Sequence, residues 1–365
     1  MRKIFLILFF FVFAFFLNIN SYAQGNGRSS EEERLEAVVL QTTEEREVET
    51  EGQKQLYQKL EILVTKGTLK GKNIIVENGN ISAASVIDFK KGDRIIVSRF
   101  KDFENKDVFY ITDSVRRTPL YWLFGIFLGL TVLIGGKRGA ASILGMVFSF
   151  FVIFFFLLPQ ISQGKDPVFI AILSSIFIVP VNFYSSHGFS RKTTSAVLGT
   201  VISLVITGIL ANFFVEAAKL SGFASEEAGF VEALNPGLVN IKGLLLAGII
   251  VGALGILDDI TIAQASVVNQ LREAGQKLSS SHLFVRAMDV GRDHIASVVN
   301  TLILVYTGAA LPLLLLFINN PLPFSEVINY EILAEEIVRT LVASIGLILA
   351  VPITTFLAVH LVKKK

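Results

Sequence analysis

Two adjacent carboxylates, Asp258 and Asp259, follow an apolar, glycine-spaced run in the stretch GALGILDDITIAQAS (Gly252 to Ser266). A second acidic group follows soon after. In HLFVRAMDVGRDHIASVVNT (His282 to Thr301), Arg286, Asp289 and Asp293 recur at helical spacing, His294 adjoins Asp293, and Asn300 comes six residues later. Carboxylates and an imidazole are the groups that pass protons, and hard oxygen ligands of this kind also suit a divalent cation. Asp258, Asp259, Gln264, Asp289, Asp293, His294 and Asn300 are therefore the candidate ion, proton or substrate residues. The plainer reading is an ordinary loop in which Arg286 and Arg292 neutralise the acids. No catalytic residue can be named and no cofactor is evident. The chain has no Walker loop, nucleophile elbow or HExxH motif, and with no cysteine it has no thiolate chemistry.

The elements that must position these groups are apolar. Of 365 residues 52% are hydrophobic, and the stretches 139–164, 167–190, 193–215, 295–325 and 340–362 contain no charged side chain. A crossing helix needs about 20 such residues, so the chain reads as a polytopic α-helical membrane protein. Spans are expected at 119–136, 139–158, 167–183, 193–214, 238–257, 297–318 and 339–360, seven in all. With that count, eleven basic residues fall on one side: Lys137, Arg138, Arg191, Lys192, Arg272, Lys277, Arg286, Arg292 and Lys363 to Lys365. The opposite loops are mainly acidic, among them Asp166, Glu216, Glu226, Glu227, Glu232, Glu326, Glu331, Glu335 and Glu336. The bias toward cytoplasmic Lys and Arg puts the C-terminus on the cytoplasmic side and the segment before the first span outside.

The fifth span has only 15 uncharged residues, Gly243 to Leu257. Starting it near Leu238, with Lys242 reaching back to the interface, makes the aspartates its inner limit. The apolar stretch Ile260 to Leu271 then becomes an interfacial or partly re-entrant helix; the alternative is that the hydrophobic stretch continues through ITIAQASVVNQL and places both aspartates below the surface, at a cost for each carboxylate. Gly248, Gly252 and Gly255 read as a close-packing face of this span, with room for a substrate or a kink as the alternatives. Pro180, Pro312 and Pro352 are candidate helix breaks.

Ahead of the spans the sequence changes character. Residues 1–23, basic then apolar then ending SYA, read as a secretory signal peptide, with an uncleaved anchor as the alternative. Residues 24–34 read as a flexible polar tether. From 35 to 118, LEAVVLQ, KLEILVTKG, KNIIVENG, DRIIVSRF and DVFYITD are five short strand patterns separated by turns. They predict a small extracytoplasmic β-barrel, OB-like, with an SH3-like or sandwich arrangement as alternatives. Phe100, Phe103, Phe109 and Tyr110 read as core and strand-pair packing rather than a nucleic-acid platform, in a chain whose net charge is only +2. Residues 119–365 complete the chain as the membrane domain.

GALGILDDITIAQAS together with HLFVRAMDVGRDHIASVVNTLILVYTGAALPLLLL resembles the YibE/F-like family of bacterial membrane proteins, over most of the chain from about Leu35. The matching positions are Gly252, Gly255, Asp258, Asp259, Thr261, Gln264, Ser266, Gly291, Asp293, His294 and Asn300. The resemblance implies a multi-pass membrane protein and names no reaction. Two function classes remain: a permease or secondary transporter for a small solute or ion, and an anchored accessory protein whose β domain recruits an envelope partner. Membrane lipid is a partner in either case.

Overall fold

The strand patterns close on themselves. The computed structural model describes residues 33–50, 53–80, 86–102, 106–234, 236–274, 278–318 and 322–362. The expected signal peptide, most of the tether, Phe103, Lys277 and the last three lysines lie outside them. The chain divides into two compact units, up to Leu130 and from Thr131.

In the first unit β1 (Glu33–Thr50), β2 (Gln53–Lys66), β3 (Asn73–Asn78), β4 (Arg94–Lys101) and β5 (Asp107–Ser114) form a closed barrel in the order β1-β2-β3-β5-β4. The pairings are antiparallel except for β3 with β5, which run parallel and meet through Glu77 and Tyr110. This is the arrangement of an OB-type barrel. Alternation explains the closure: Leu35, Ala37, Val39, Leu60, Ile62, Val64, Val76, Ile95 and Val97 point inward and form one core. Phe109 packs against that core, and Phe100 meets Tyr110 edge-on at 6.0 Å. One buried polar side chain crosses the interior: Gln58 donates to Asp88 and to the Phe89 carbonyl and accepts from the Phe89 N–H. At the rim Arg99 forks onto Asp107 with two 2.8 Å bonds and reaches Glu33 at 3.1 Å. That guanidinium holds the Asp107 carboxyl below its usual range, and the Thr68 hydroxyl and N–H, followed by Arg99, do the same for Glu33.

The helices of eight residues or more among the described residues are α1 (Arg117–Val152), α2 (Pro167–His187), α3 (Arg191–Ala217), α4 (Glu226–Leu234), α5 (Ile241–Glu273), α6 (Ser280–Ala309), α7 (Leu311–Ile318) and α8 (Glu331–Leu361). A π-helical turn, Ile153–Leu157, continues α1 toward Ser162. Among the described residues five helices are long and apolar enough to cross a membrane, or six if α6 and α7 count as one bent span. Side chains cap the starts where the sequence offers them: Asp166 accepts from the Phe169 N–H, Ser190 from Thr193, Asn240 from Gly243 and Ser279 from His282.

α1 is interrupted at Gly136, whose φ of 55° is a left-handed conformation suited to glycine. The chain reverses there, because a Cβ on Gly139 would lie 3.0 Å from the Thr131 carbonyl carbon, eight residues earlier. Of the three prolines, Pro312 adjoins a real break, where α6 and α7 meet at 70°. Pro180 and Pro352 stand within uninterrupted helices.

In the second unit α5 is the central rod, touching α2, α3, α6 and α8. α2 and α8 run parallel to it and α3 and α6 antiparallel, as Gly243 beside Pro167, Gln264 bonded to Thr355, Thr200 bonded to Thr261, and Gly252 facing Tyr306 show. The bundle consequently has a basic and an acidic end. At the first, Arg272 donates to the Val359 and Val362 carbonyls and Arg191 to that of Leu361. At the second, Lys242 pairs with Glu216 at 2.7 Å, and Glu331 accepts from the Ser221 and Gly222 N–H groups.

Candidate functional site

Asp258 stands near the midpoint of α5, about 25 Å from either end at 1.5 Å per residue. The helix does not stop there. Ile260, Thr261, Gln264, Ala265 and Val268 continue its buried side toward Glu273. The sequence reading preferred a helix ending at the aspartates, with Ile260 to Leu271 as an interfacial or partly re-entrant helix; the structure instead carries both stretches in one unbroken helix, as the continuous alternative has it. The extra length is tolerated because neighbouring helices satisfy its polar side chains. Gln264 donates to the Ala287 carbonyl on α6 at 2.9 Å and to Thr355 Oγ1 on α8 at 2.7 Å. Thr261 shares a 2.7 Å bond with Thr200 on α3.

Asp258 is not satisfied in this way. Its Oδ1 is buried and has no hydrogen-bond partner. The antiparallel register of α3 and α5, fixed by Thr200 with Thr261 and Gly208 with Ile250, places Ser203 level with Leu257 and Asp258. Ser203 Oγ is likewise buried without a partner, and so is Thr354 Oγ1 on α8, which packs on Gly199 about one turn away along α3. Three touching helices thus bring three unpartnered oxygens to the middle of the bundle. A carboxylate oxygen buried there without a partner is costly. The arrangement can hold a proton on Asp258, or present oxygens to a small cation or a hydrogen-bonding solute.

Asp259 points to the more open side of α5, with His294 of α6 within electrostatic reach. The remaining sequence candidates do not join them. Asp289 is exposed and paired with Arg292 at 2.6 Å, while Asp293 and Asn300 are exposed on α6. Leu283, Ala287 and Gly291 form the buried edge of α6 instead. Among the described residues no three His, Cys, Asp or Glu side chains are grouped as a metal site. Gln264 is a buried clamp between helices rather than a group open to solute.

The glycine face differs from its expected role within this chain. A Cβ on Gly248 or Gly255 would meet nothing within 4 Å, and one on Gly252 only the Tyr306 hydroxyl at 4.0 Å. Close helix approach occurs elsewhere. A Cβ on Gly199 would lie 3.1 Å from Thr354 Cβ, one on Gly346 3.2 Å from Thr207 Cβ, and one on Gly291 2.6 Å from Val351 Cγ1. Sequence reasoning also missed Ser203 and Thr354. Its available signal was the row Thr193, Thr200, Ser203 and Thr207, which recurs on one face of an otherwise apolar span.

A closed β-barrel followed by long apolar helices around a carboxylate-bearing central helix defines a membrane-embedded helical protein with a small β domain. The family model described as YibE/F-like protein matches residues 123–364, and the chain belongs to that family. The match starts after the barrel, so it covers less than the resemblance expected from Leu35 onward. The comparison with curated proteins and that with solved structures give no match.

Proposed function

We propose that the protein is a permease or secondary transporter of the bacterial plasma membrane, with Asp258 and Asp259 as its coupling carboxylates. The observation that carries this reading is the buried, unpartnered Asp258 Oδ1 at the midpoint of the central helix. Structure alone gains nothing from such a group, since an unpaired buried carboxylate opposes folding. In this reading the two limbs of α1 on either side of Gly136 each cross the membrane. With α6 and α7 as one bent crossing, the total is seven. The basic end of the bundle then faces the cytoplasm and the barrel lies outside. Ser203 and Thr354 line the path beside Asp258, and His294 exchanges protons with Asp259. A proton fits the site better than a divalent cation, which would ask for more carboxylate or imidazole ligands than the pair offers.

The test is flux in proteoliposomes under an imposed proton gradient, screened over small solutes and monovalent cations. Wild-type protein should show a gradient-driven flux that Asp258→Asn abolishes, while Asp258→Asn is at least as stable as wild type because the unpaired charge is gone. Unchanged flux in an Asp258→Asn, Asp259→Asn double variant would rule out the coupling role. The second reading, an accessory protein acting through its barrel, draws on the position of the barrel outside the family-matched region. In that case removal of the barrel should abolish function and the aspartate variants should keep it.

A further inference from the structure

A groove of about 710 Å³ opens at the acidic end of the bundle, between the first turns of α5 and α8, helix α4 and the bend between α6 and α7. Its walls are largely apolar, with Leu244, Leu245 and Leu313 among them, and Gly248 contributes bare backbone to its floor. Four charged side chains face it: Glu227, Glu335, Glu336 and Arg339. Glu336 and Arg339 pair at 2.7 Å. Glu335 is left over: it is 93% buried, being 7% exposed, and its Oε1 is buried in the groove wall with no hydrogen-bond partner. Acids near a helix N-terminus are ordinarily explained by the helix dipole. Glu331, in the first turn of α8, is further satisfied by the Ser221 and Gly222 N–H groups, whereas Glu335 Oε1 has no such donor.

We propose that this groove binds an organic cation, a protonated amine carried on a compact apolar body, with Glu335 as its counter-ion. The carboxylate already meets the Ala224 N–H, and an ammonium supplies the donor that Oε1 lacks, while the apolar walls cover the rest of the ligand, as in most small-molecule sites. The Arg339 Nε is also buried without a partner, but three carboxylates against one guanidinium leave the groove net negative, which favours a cation over a carboxylate ligand. The Tyr306 hydroxyl, on the α6 side of the groove, offers the ligand a further polar contact. Beyond the groove, Gly252, Gly255 and Asp259 are exposed along the same face of α5 as Gly248.

The test is calorimetric titration of the full chain in neutral-lipid nanodiscs with benzylammonium, benzyl alcohol and benzoate. Binding is read without flux, so the outcome stands apart from the permease reading. Benzylammonium should bind saturably, and the other two should fail at about tenfold higher concentration. Glu335→Gln should weaken benzylammonium about tenfold or more, and Glu335→Asp, which keeps the charge, should recover most of that loss. Gly248→Leu, whose side chain enters open space, should block binding while the protein stays folded and monodisperse. The proposal is overturned if benzylammonium does not saturate, if benzoate binds as tightly, or if either Glu335→Gln or Gly248→Leu leaves the affinity unchanged.

Discussion

Replacing Gly346 or Gly248 by alanine should shift stability in opposite directions. Both glycines lie within membrane helices, and in both an alanine would recover the backbone entropy that glycine loses on folding, about 0.5–1 kcal/mol. At Gly346 the new methyl group would press on the Thr207 hydroxyl and lie 3.2 and 3.4 Å from Thr207 Cβ and Cγ2. Thr207 is fully buried and its hydroxyl donates to the Ser203 carbonyl at 2.8 Å, so turning it aside also loses a bond. Overpacking of this kind costs about 1–3 kcal/mol, which leaves Gly346→Ala destabilised by about 1.2 kcal/mol at the middle of these ranges and by about 2.5 kcal/mol at most after the propensity gain. At Gly248 the methyl group meets nothing within 4 Å, so only the gain remains. The assay is reversible unfolding of the purified protein in mixed micelles on increasing dodecyl sulfate. If Gly248→Ala destabilised the protein as much as Gly346→Ala, the open-face assignment would be wrong.

Gln264→Leu should lose about 1–2 kcal/mol in the same assay, since two interhelical bonds disappear and each is worth roughly 0.6 kcal/mol or somewhat more in membrane bundles. A double-mutant cycle of Thr200→Val and Thr261→Val should give a coupling of about 0.6 kcal/mol; no coupling would mean that the α3–α5 register is wrong. In the barrel, Glu33 and Asp107 have folded-state pKa values below their ordinary 4.5 and 3.8. Their contribution is therefore present above the ordinary carboxylate range and fades as the pH falls through the lowered values. Hydrogen exchange at β1 and β4 should accelerate as the pH is taken below about 4, after correction for the intrinsic exchange rate, and Arg99→Met should bring the same loosening at neutral pH. An exchange rate at neutral pH indifferent to Arg99→Met would remove the ion-pair explanation.

The barrel was legible because its strands alternate strictly: Leu35, Ala37 and Val39, like Leu60, Ile62 and Val64, are inward positions two apart, and LKGK and KKGD mark reversals. Strand order was not legible, since β3 beside β5 is a non-local, parallel contact with no local signature. The apolar helices could likewise be read from composition, but their ends could not. Counting apolar residues makes Asp258 a boundary, because a lone helix in lipid would have to place two carboxylates, a threonine and a glutamine outside the hydrocarbon. In the bundle Thr261 bonds Thr200, and Gln264 bonds α6 and α8, so those side chains no longer mark an end. The glycines misled for a related reason. A small residue shows where a neighbour is able to approach, and whether one does depends on which helices surround it: Gly199 and Gly346 meet Thr354 and Thr207, whereas Gly248 and Gly255 face open space.

Once partners are assigned, the polar residues of α5 divide into those that hold the bundle together and those that do not. Thr261 and Gln264 are spent on neighbouring helices, and removing either should cost stability. Asp258 has a buried oxygen with no such use, so removing its charge should cost activity and spare the fold. A structural carboxylate would behave the other way round. Asp258→Asn measured in both assays therefore separates the two roles even before a substrate is known. Loss of stability with unchanged flux would make Asp258 a packing residue and leave the centre of the bundle without a coupling group.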